Sequence, residues 1–279
     1  MENMEHNNWK ITCLFYGTLT APKGIFCAGL DNDKIMPFVY SGYLLRNGKQ
    51  TILVDTGVHQ DNIHDGKAWA GCPAVGGNQY VLDALKGEGL TPDDIDIVMY
   101  THLHNDHAGG CALFPNSLHL FQKDEYANMI NPLPSQKIRT DYDPRTPGDI
   151  AKLRHIQMID GDFDLGNGLR LVKVPGHTLG GMAIQVQTAE GKYVITGDMP
   201  HLGCSLFPKL DKMELLDGTV ADITPAPDLY GPYIINGVIY DHYACYDSFD
   251  KIMLLGEERD PKWFLTGHDM WCVRKKYFG

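Results

Sequence analysis

Short apolar runs separated by polar turns lay this chain out as strands with a few helices between them. Trp9 to Thr18 alternates as a strand does, after a loose polar tail over residues 1–10. Phe38 to Leu45 and Gln50 to Val54 flank Asn47-Gly48-Lys49, which predicts a hairpin. Val81, Leu82 and Leu85 recur at a helical period, so Asn78 to Gly87 is expected as a helix that Gly87 or Gly89 ends. Thr91-Pro92-Asp93-Asp94 reads as a short helical start. Further strands are expected at Ile95 to Tyr100, Leu118 to Phe121, Ile156 to Ile159, Leu169 to Val174, Met182 to Gln187, Tyr193 to Thr196 and Trp263 to Thr266. Lys123 to Met129 and Asp247 to Leu255 are expected as helices. Ala21 to Pro37, Asn131 to Gly148 and residues 199 to about 240 are rich in Pro and Gly and read as loops.

Two regularities emerge from that layout. The stretches 43–57 and 183–198 share an order of strand, Gly-Lys turn, strand and an elbow of Asp, Thr and Gly, as an old duplication of two β-rich halves would. Four separate apolar strands also run into a potential metal ligand, at His102, His177, Asp198 and His268. Strand ends gathered at one edge of stacked sheets are good places to fix a site.

The densest chemistry lies in Thr101-His102-Leu103-His104-Asn105-Asp106-His107-Ala108-Gly109-Gly110. On extended chain His102 and His104 point the same way. Asp106 and His107 follow as the chain turns, so one loop offers two ligands to each of two adjacent cations. Imidazole and carboxylate without thiolate suit zinc, manganese or iron, and argue against a closed structural zinc site.

Composition narrows the partners. The net charge of −11 disfavours a nucleic-acid partner, since phosphate binding needs a positive surface. Seven cysteines, odd in number and with no C-x-x-C pair, read as reduced cytoplasmic usage. No apolar h-region opens the chain, and no apolar run approaches a membrane span.

Taken together, His102-x-His104-x-Asp106-His107, Pro175-Gly176-His177-Thr178, Thr196-Gly197-Asp198 and Thr266-Gly267-His268, with Asp55-Thr56-Gly57 upstream, resemble the metallo-β-lactamase superfamily over nearly the whole chain. The resemblance is strongest to the N-acyl-homoserine lactonase group. It implies an α/β fold, a four-layer αβ/βα sandwich, as one domain over 1–279 with a lid-like insertion around 199–245. It implies two divalent metal ions, zinc first, with manganese or iron as alternatives. His102, His104 and His177 would hold one ion, and Asp106, His107 and His268 the other. Asp198 would bridge them, and Asp55 would support the loop without touching metal. The implied reaction is opening of a lactone or cleavage of a carboxylic ester by a hydroxide between the metals, with Asp106 orienting the nucleophile and carrying its proton. A small-molecule substrate, a homodimer and a quorum-quenching role follow from the same resemblance.

One departure stands out. Those lactonases carry a tyrosine three residues after the bridging aspartate, where this chain has His201. His201 therefore becomes the candidate substrate contact, with Tyr230, Tyr233, Tyr240 or Tyr243 as alternatives from the lid. An acyl-homoserine lactone is correspondingly less expected than lactone hydrolysis itself. A glyoxalase II-like thioesterase or an iron-dependent oxygenase of the same fold remain the competing readings.

Overall fold

A computed structural model describes residues 8–279. The tail expected over 1–10 falls for the most part outside the described residues. The strands in chain order are β1 (Lys10–Pro22), β2 (Ile35–Arg46), β3 (Thr51–Val54), β4 (Ala74–Gly76), β5 (Ile97–Met99), β6 (Leu118–Gln122), β7 (His155–Ile159), β8 (Phe163–Gly166), β9 (Leu169–Lys173), β10 (Met182–Gln187), β11 (Lys192–Gly197), β12 (Lys212–Glu214), β13 (Val220–Asp222), β14 (Phe264–Thr266) and β15 (Tyr277–Phe278).

The first sheet runs β15-β1-β2-β3-β5-β6-β7, with β4 on β1. It is antiparallel from β15 to β3 and parallel from β3 to β7. The second sheet runs β14-β11-β10-β9-β8, and β12 and β13 form a small ribbon. Period-two alternation divides the first sheet between two cores. Leu14, Tyr16, Leu44, Leu53 and Val98 face one cluster, together with Val81 and Leu85 of helix Asn78–Gly87. Ile11, Cys13, Tyr43, Leu45, Ile52, Val54, Ile97 and Met99 face the other, where they meet Leu171, Ile184 and Ile195 of the second sheet. Cys245, Phe249 and Ile252 of helix His242–Met253 cover the second sheet from its far side. The layers are thus helix, sheet, sheet and helix, the αβ/βα sandwich expected.

Several loops are more ordered than their composition suggested. Between β1 and β2 the chain forms helix Lys23–Phe26, so the loop expected over 21–37 is shorter. Asn131 to Gly148 contains helix Pro134–Arg139 and the start of helix Thr146–Ile150. Their prolines stand in the first turn, where a missing N–H is tolerated, and so mark helix starts as well as loops. Strand β8 was not expected, because its residues are mostly exposed and do not alternate. Residues 199–240 hold helix Gly203–Leu206 and the β12–β13 ribbon. This segment is tied to the turn after β1: Gly237 N–H donates to Ile25 O at 3.1 Å, and Ala28 N–H to Ile235 O at 3.0 Å. Finally, β15 returns the chain end to the first sheet, so that sheet is not built from the amino-terminal half alone.

Candidate metal centre

Each potential ligand stands just past a strand end. β5 stops at Met99, before His102, and β9 at Lys173, before His177. β11 runs to Gly197, before Asp198, and β14 to Thr266, before His268. The parallel strands β11 and β14 bring the last two side by side.

The His102–His107 stretch is held from two sides. Asp55, past the end of β3, adopts a positive φ of 61°. This aims its carboxylate at Thr101 N–H (2.8 Å), Thr101 Oγ1 (2.7 Å) and His107 Nδ1 (2.8 Å). Glu125, fully buried, accepts from Leu103 N–H (3.0 Å), Gly180 N–H (3.0 Å) and the Tyr142 hydroxyl (2.9 Å). It thereby joins the His-rich loop to the turn after His177. The loop closes in a short helix, Asn105–Ala108, and Gly109 follows where a Cβ would strike His59 N and Gly57 O.

Hydrogen bonds on one ring nitrogen fix the chemistry of the other. His177 Nδ1 must donate to Val238 O (2.9 Å), and His268 Nδ1 to Val39 O (2.8 Å), since carbonyls only accept. His107 Nδ1 faces the Asp55 carboxylate. Thr101 Oγ1 donates to Asp55 and so accepts from His102 Nδ1 at 3.2 Å. In the neutral rings, Nε2 of all four is then a bare lone pair.

These lone pairs converge. His177 Nε2 lies 3.0 Å from His104 Nδ1. Asp198 Oδ1 is 3.2 Å from His107 Nε2, and Asp198 Oδ2 lies 3.1 Å from His268, 3.5 Å from His177 and 3.8 Å from His102, in each case from Nε2. His268 Nε2 is 3.8 Å from Asp106 Oδ2. His102 Nε2, His107 Nε2 and Asp198 Oδ1 are buried with no hydrogen-bond partner among the described residues. Facing lone pairs repel unless a proton or cation sits between them. The residues therefore fit metal, and His102, His104 and His177 form one set that could hold an ion, Asp106, His107 and His268 a second. Asp198 groups with His102 and His107, one from each set.

The charged groups of the cluster also act on one another. Burial and then the neighbouring rings push the His102 and His104 imidazoles well down. Burial also acts on His107 and His268, but nearby carboxylates, Asp198 foremost, outweigh it and raise both. Asp198, although buried, is held well below the usual carboxylate range by His268 and His107.

His201, expected at the substrate, lies against this cluster. Its Nε2 is 3.3 Å from Asp198 Oδ2, and its ring packs near His177 and Phe26. Burial pushes it down to about 3, so the ring is neutral. Among the described residues its Nδ1 has no hydrogen-bond partner, which sets it apart from His102, His107, His177 and His268. The tyrosines named as alternatives are placed elsewhere. Tyr243 is exposed, Tyr233 donates to Asp250 Oδ1 at 2.7 Å, and neither these nor Tyr230 and Tyr240 line the cavity above the cluster. That cavity is walled by Asp106, His201 and His268 together with Leu19, Ile25, Phe26, Tyr40, Trp69 and Val238. Glu125 and these apolar walls carry no motif, and only folding brings them here.

A model of the metallo-beta-lactamase superfamily matches residues 36–259, and the chain belongs to that superfamily. It is 29% identical over 160 residues to an N-acyl homoserine lactonase of Bacillus cereus, covering 55% of this chain and 60% of that relative. It is 25% identical over 202 residues to N-acyl homoserine lactonase AiiB of Agrobacterium fabrum, covering 68% and 73%. The chain thus spans less than two thirds of the length of the Bacillus relative. In three dimensions it is similar to an N-acyl homoserine lactone hydrolase solved with the product N-hexanoyl-L-homoserine at its catalytic metal center. The TM-score is 0.71 and the identity 20%, covering 96% of this chain and 98% of the other. AidC, a dizinc quorum-quenching lactonase, superposes with a TM-score of 0.63 at 19% identity, covering 93% and 87%. These two likenesses establish the metallo-β-lactamase fold.

Proposed function

We propose that this protein is a dinuclear metal-dependent hydrolase that opens a lactone or cleaves a carboxylic ester. The observation that carries the reading is the pair of three-residue ligand sets meeting at one buried carboxylate, Asp198, on the floor of a cavity. His102, His104 and His177 would hold one ion, Asp106, His107 and His268 the other, and Asp198 both. Zinc is the ion proposed, with manganese and iron as alternatives. Bound together, two such ions supply an activated water at neutral pH and polarise a carbonyl oxygen.

The chain's own groups do the rest. Asp106 is the one carboxylate of the set that keeps some exposure, and it lines the cavity. It orients the attacking water and carries the proton released on attack to the departing oxygen. Leu19, Ile25, Phe26, Trp69 and Val238 give the cavity an apolar wall, which suits the acyl or ring carbons of the substrate and keeps bulk water away. His201 borders the same space as a neutral substrate contact.

Acyl homoserine lactones, and with them quorum quenching, belong to the proposed substrate class, a reading that the names of the relatives support. His201 in place of a tyrosine makes other lactones equal candidates. All seven cysteines are free, in keeping with a reduced cytoplasmic setting. A homodimer remains part of the proposal. The test is a hydrolysis panel of lactones, aryl esters, thioesters, β-lactams and phosphodiesters with the metal-loaded protein. Lactone or ester turnover supports the reading. Thioester turnover alone moves it to the glyoxalase II-like alternative.

A further inference from the structure

We propose that Tyr40 is a catalytic residue of the hydrolase, its phenol donating a hydrogen bond to the oxygen that departs from the acyl carbon. The proposal rests on the hydrolase reading and adds a residue that none of the site motifs contains.

Three observations meet on this side chain. Tyr40 lies in β2, directly after Val39, whose carbonyl holds His268 Nδ1 at 2.8 Å. The strand that orients one proposed ligand therefore also positions the phenol. Among the described residues Tyr40 is the one tyrosine in the wall of the cavity, where it stands with Asp106 and His268. It is 3% exposed, and among the described residues no hydrogen bond engages its hydroxyl, which is not one of the fully enclosed unpartnered atoms and so is open to the cavity.

Three other buried phenols are already engaged, and Tyr16, whose hydroxyl has no partner among the described residues, does not line the cavity. Tyr142 donates to Glu125 and Asn128, Tyr43 to Thr266 O, and Tyr233 to Asp250. His201 cannot take the same part on that side, since its Nε2 is turned to Asp198. A free donor beside Asp106 is suited to the moment when the acyl carbon–oxygen bond breaks. The electron pair goes to the departing oxygen. The proton for that oxygen comes through Asp106 from the water that adds to the acyl carbon. Tyr40 keeps its own proton and stabilises the developing negative charge, as a fixed donor in a dry site does.

The dependence on leaving group tests this. Tyr40→Phe and wild type are compared, at matched metal content, on an alkyl lactone and on a p-nitrophenyl ester. The nitrophenolate needs little help to depart, whereas the alkoxide needs much. The expected result is a fall in kcat of about 10–100-fold on the lactone. The fall on the aryl ester should be less than about 3-fold, since chemistry there no longer depends on stabilising the departing oxygen. Binding of the hydroxy-acid product, measured by calorimetry, should weaken about 10-fold, because the phenol loses its contact to the new hydroxyl. Equal losses on both substrates, or unchanged lactone turnover with unchanged product binding, overturn the role of Tyr40 and leave the hydrolase reading standing. Wild-type protein that holds two metals and hydrolyses neither substrate overturns both.

Discussion

His107 Nδ1 lies 2.8 Å from Asp55 Oδ2, and the same carboxylate holds the backbone and hydroxyl of Thr101. One residue outside the ligand set thus fixes both the start of the His-rich loop and the ring that closes it. Outer partners of this kind are worth about 10–100-fold in metal affinity. Asp55→Asn is expected to weaken binding at the Asp106–His107–His268 set by that factor. Competition with a chromophoric chelator reads it. Affinities equal to wild type at both sets would show that the Asp55 carboxylate merely fills space.

Glu125 joins the two loops that carry His102, His104 and His177. Glu125→Ala leaves the N–H groups of Leu103 and Gly180 without their acceptor, each at a cost of about 1–3 kcal/mol. Urea unfolding should report that loss, with a smaller one for Glu125→Gln, which keeps an acceptor. A change below about 0.5 kcal/mol, ordinary for a surface substitution, would be incompatible with the bridging role.

The sequence made the ligand-bearing frame and its Asp55 support readable and left the other supports hidden. Helix Asn78–Gly87 has the expected bounds, because Val81 and Leu85 bury one face and glycine ends it. The hairpin at Asn47-Gly48-Lys49 and the strands before the four ligand-bearing turns were legible through alternation and turn residues. Glu125 was not, since an acidic residue in the first turn of a helix ordinarily faces solvent. Tyr40 was one apolar residue in a strand of them, and its place beside Asp106 depends on contacts far apart in sequence. His201 was picked out by its distance from Asp198, but not its packing against Phe26 and the ligand rings.

Asp31 anchors the turn that supplies Ile25 and Phe26 to the cavity. Lys23 and Asp31 side chains, 1% and 2% exposed, lie 2.9 Å apart, and Asp31 also accepts from Thr224 N–H (3.0 Å) and Oγ1 (2.6 Å). Burial opposes ionisation of Asp31, but the bonds from Thr224, Lys23 and Lys34 prevail and depress it below the usual carboxylate range. A depressed carboxyl contributes stability in full above its unfolded value of about 3.9, and loses it as pH falls through the folded value. Asp31→Asn should therefore cost about 3 kcal/mol near neutrality, because it strands a buried ammonium. That gap should stay flat down to about pH 5 and shrink below about 4. Unfolding of the metal-depleted protein across that range checks it. A gap that widens on acidification would reverse the sign argued here.

Asp106 is assigned both a ligand and a proton-carrying role. Asp106→Asn is expected to lower lactone turnover by about 10²–10⁴-fold even where added metal restores occupancy. Near-normal turnover with both ions bound would remove the proton-carrying role.

The central claim is that His102, His104, Asp106, His107, His177, Asp198 and His268 hold two divalent ions between them. Elemental analysis of the purified protein, before and after chelation and reloading, tests it most directly. The account predicts two equivalents of zinc, manganese or iron per chain, lost with hydrolytic activity on chelation and recovered together on reloading. A chain that takes up no metal from zinc, manganese or iron while remaining folded would contradict it.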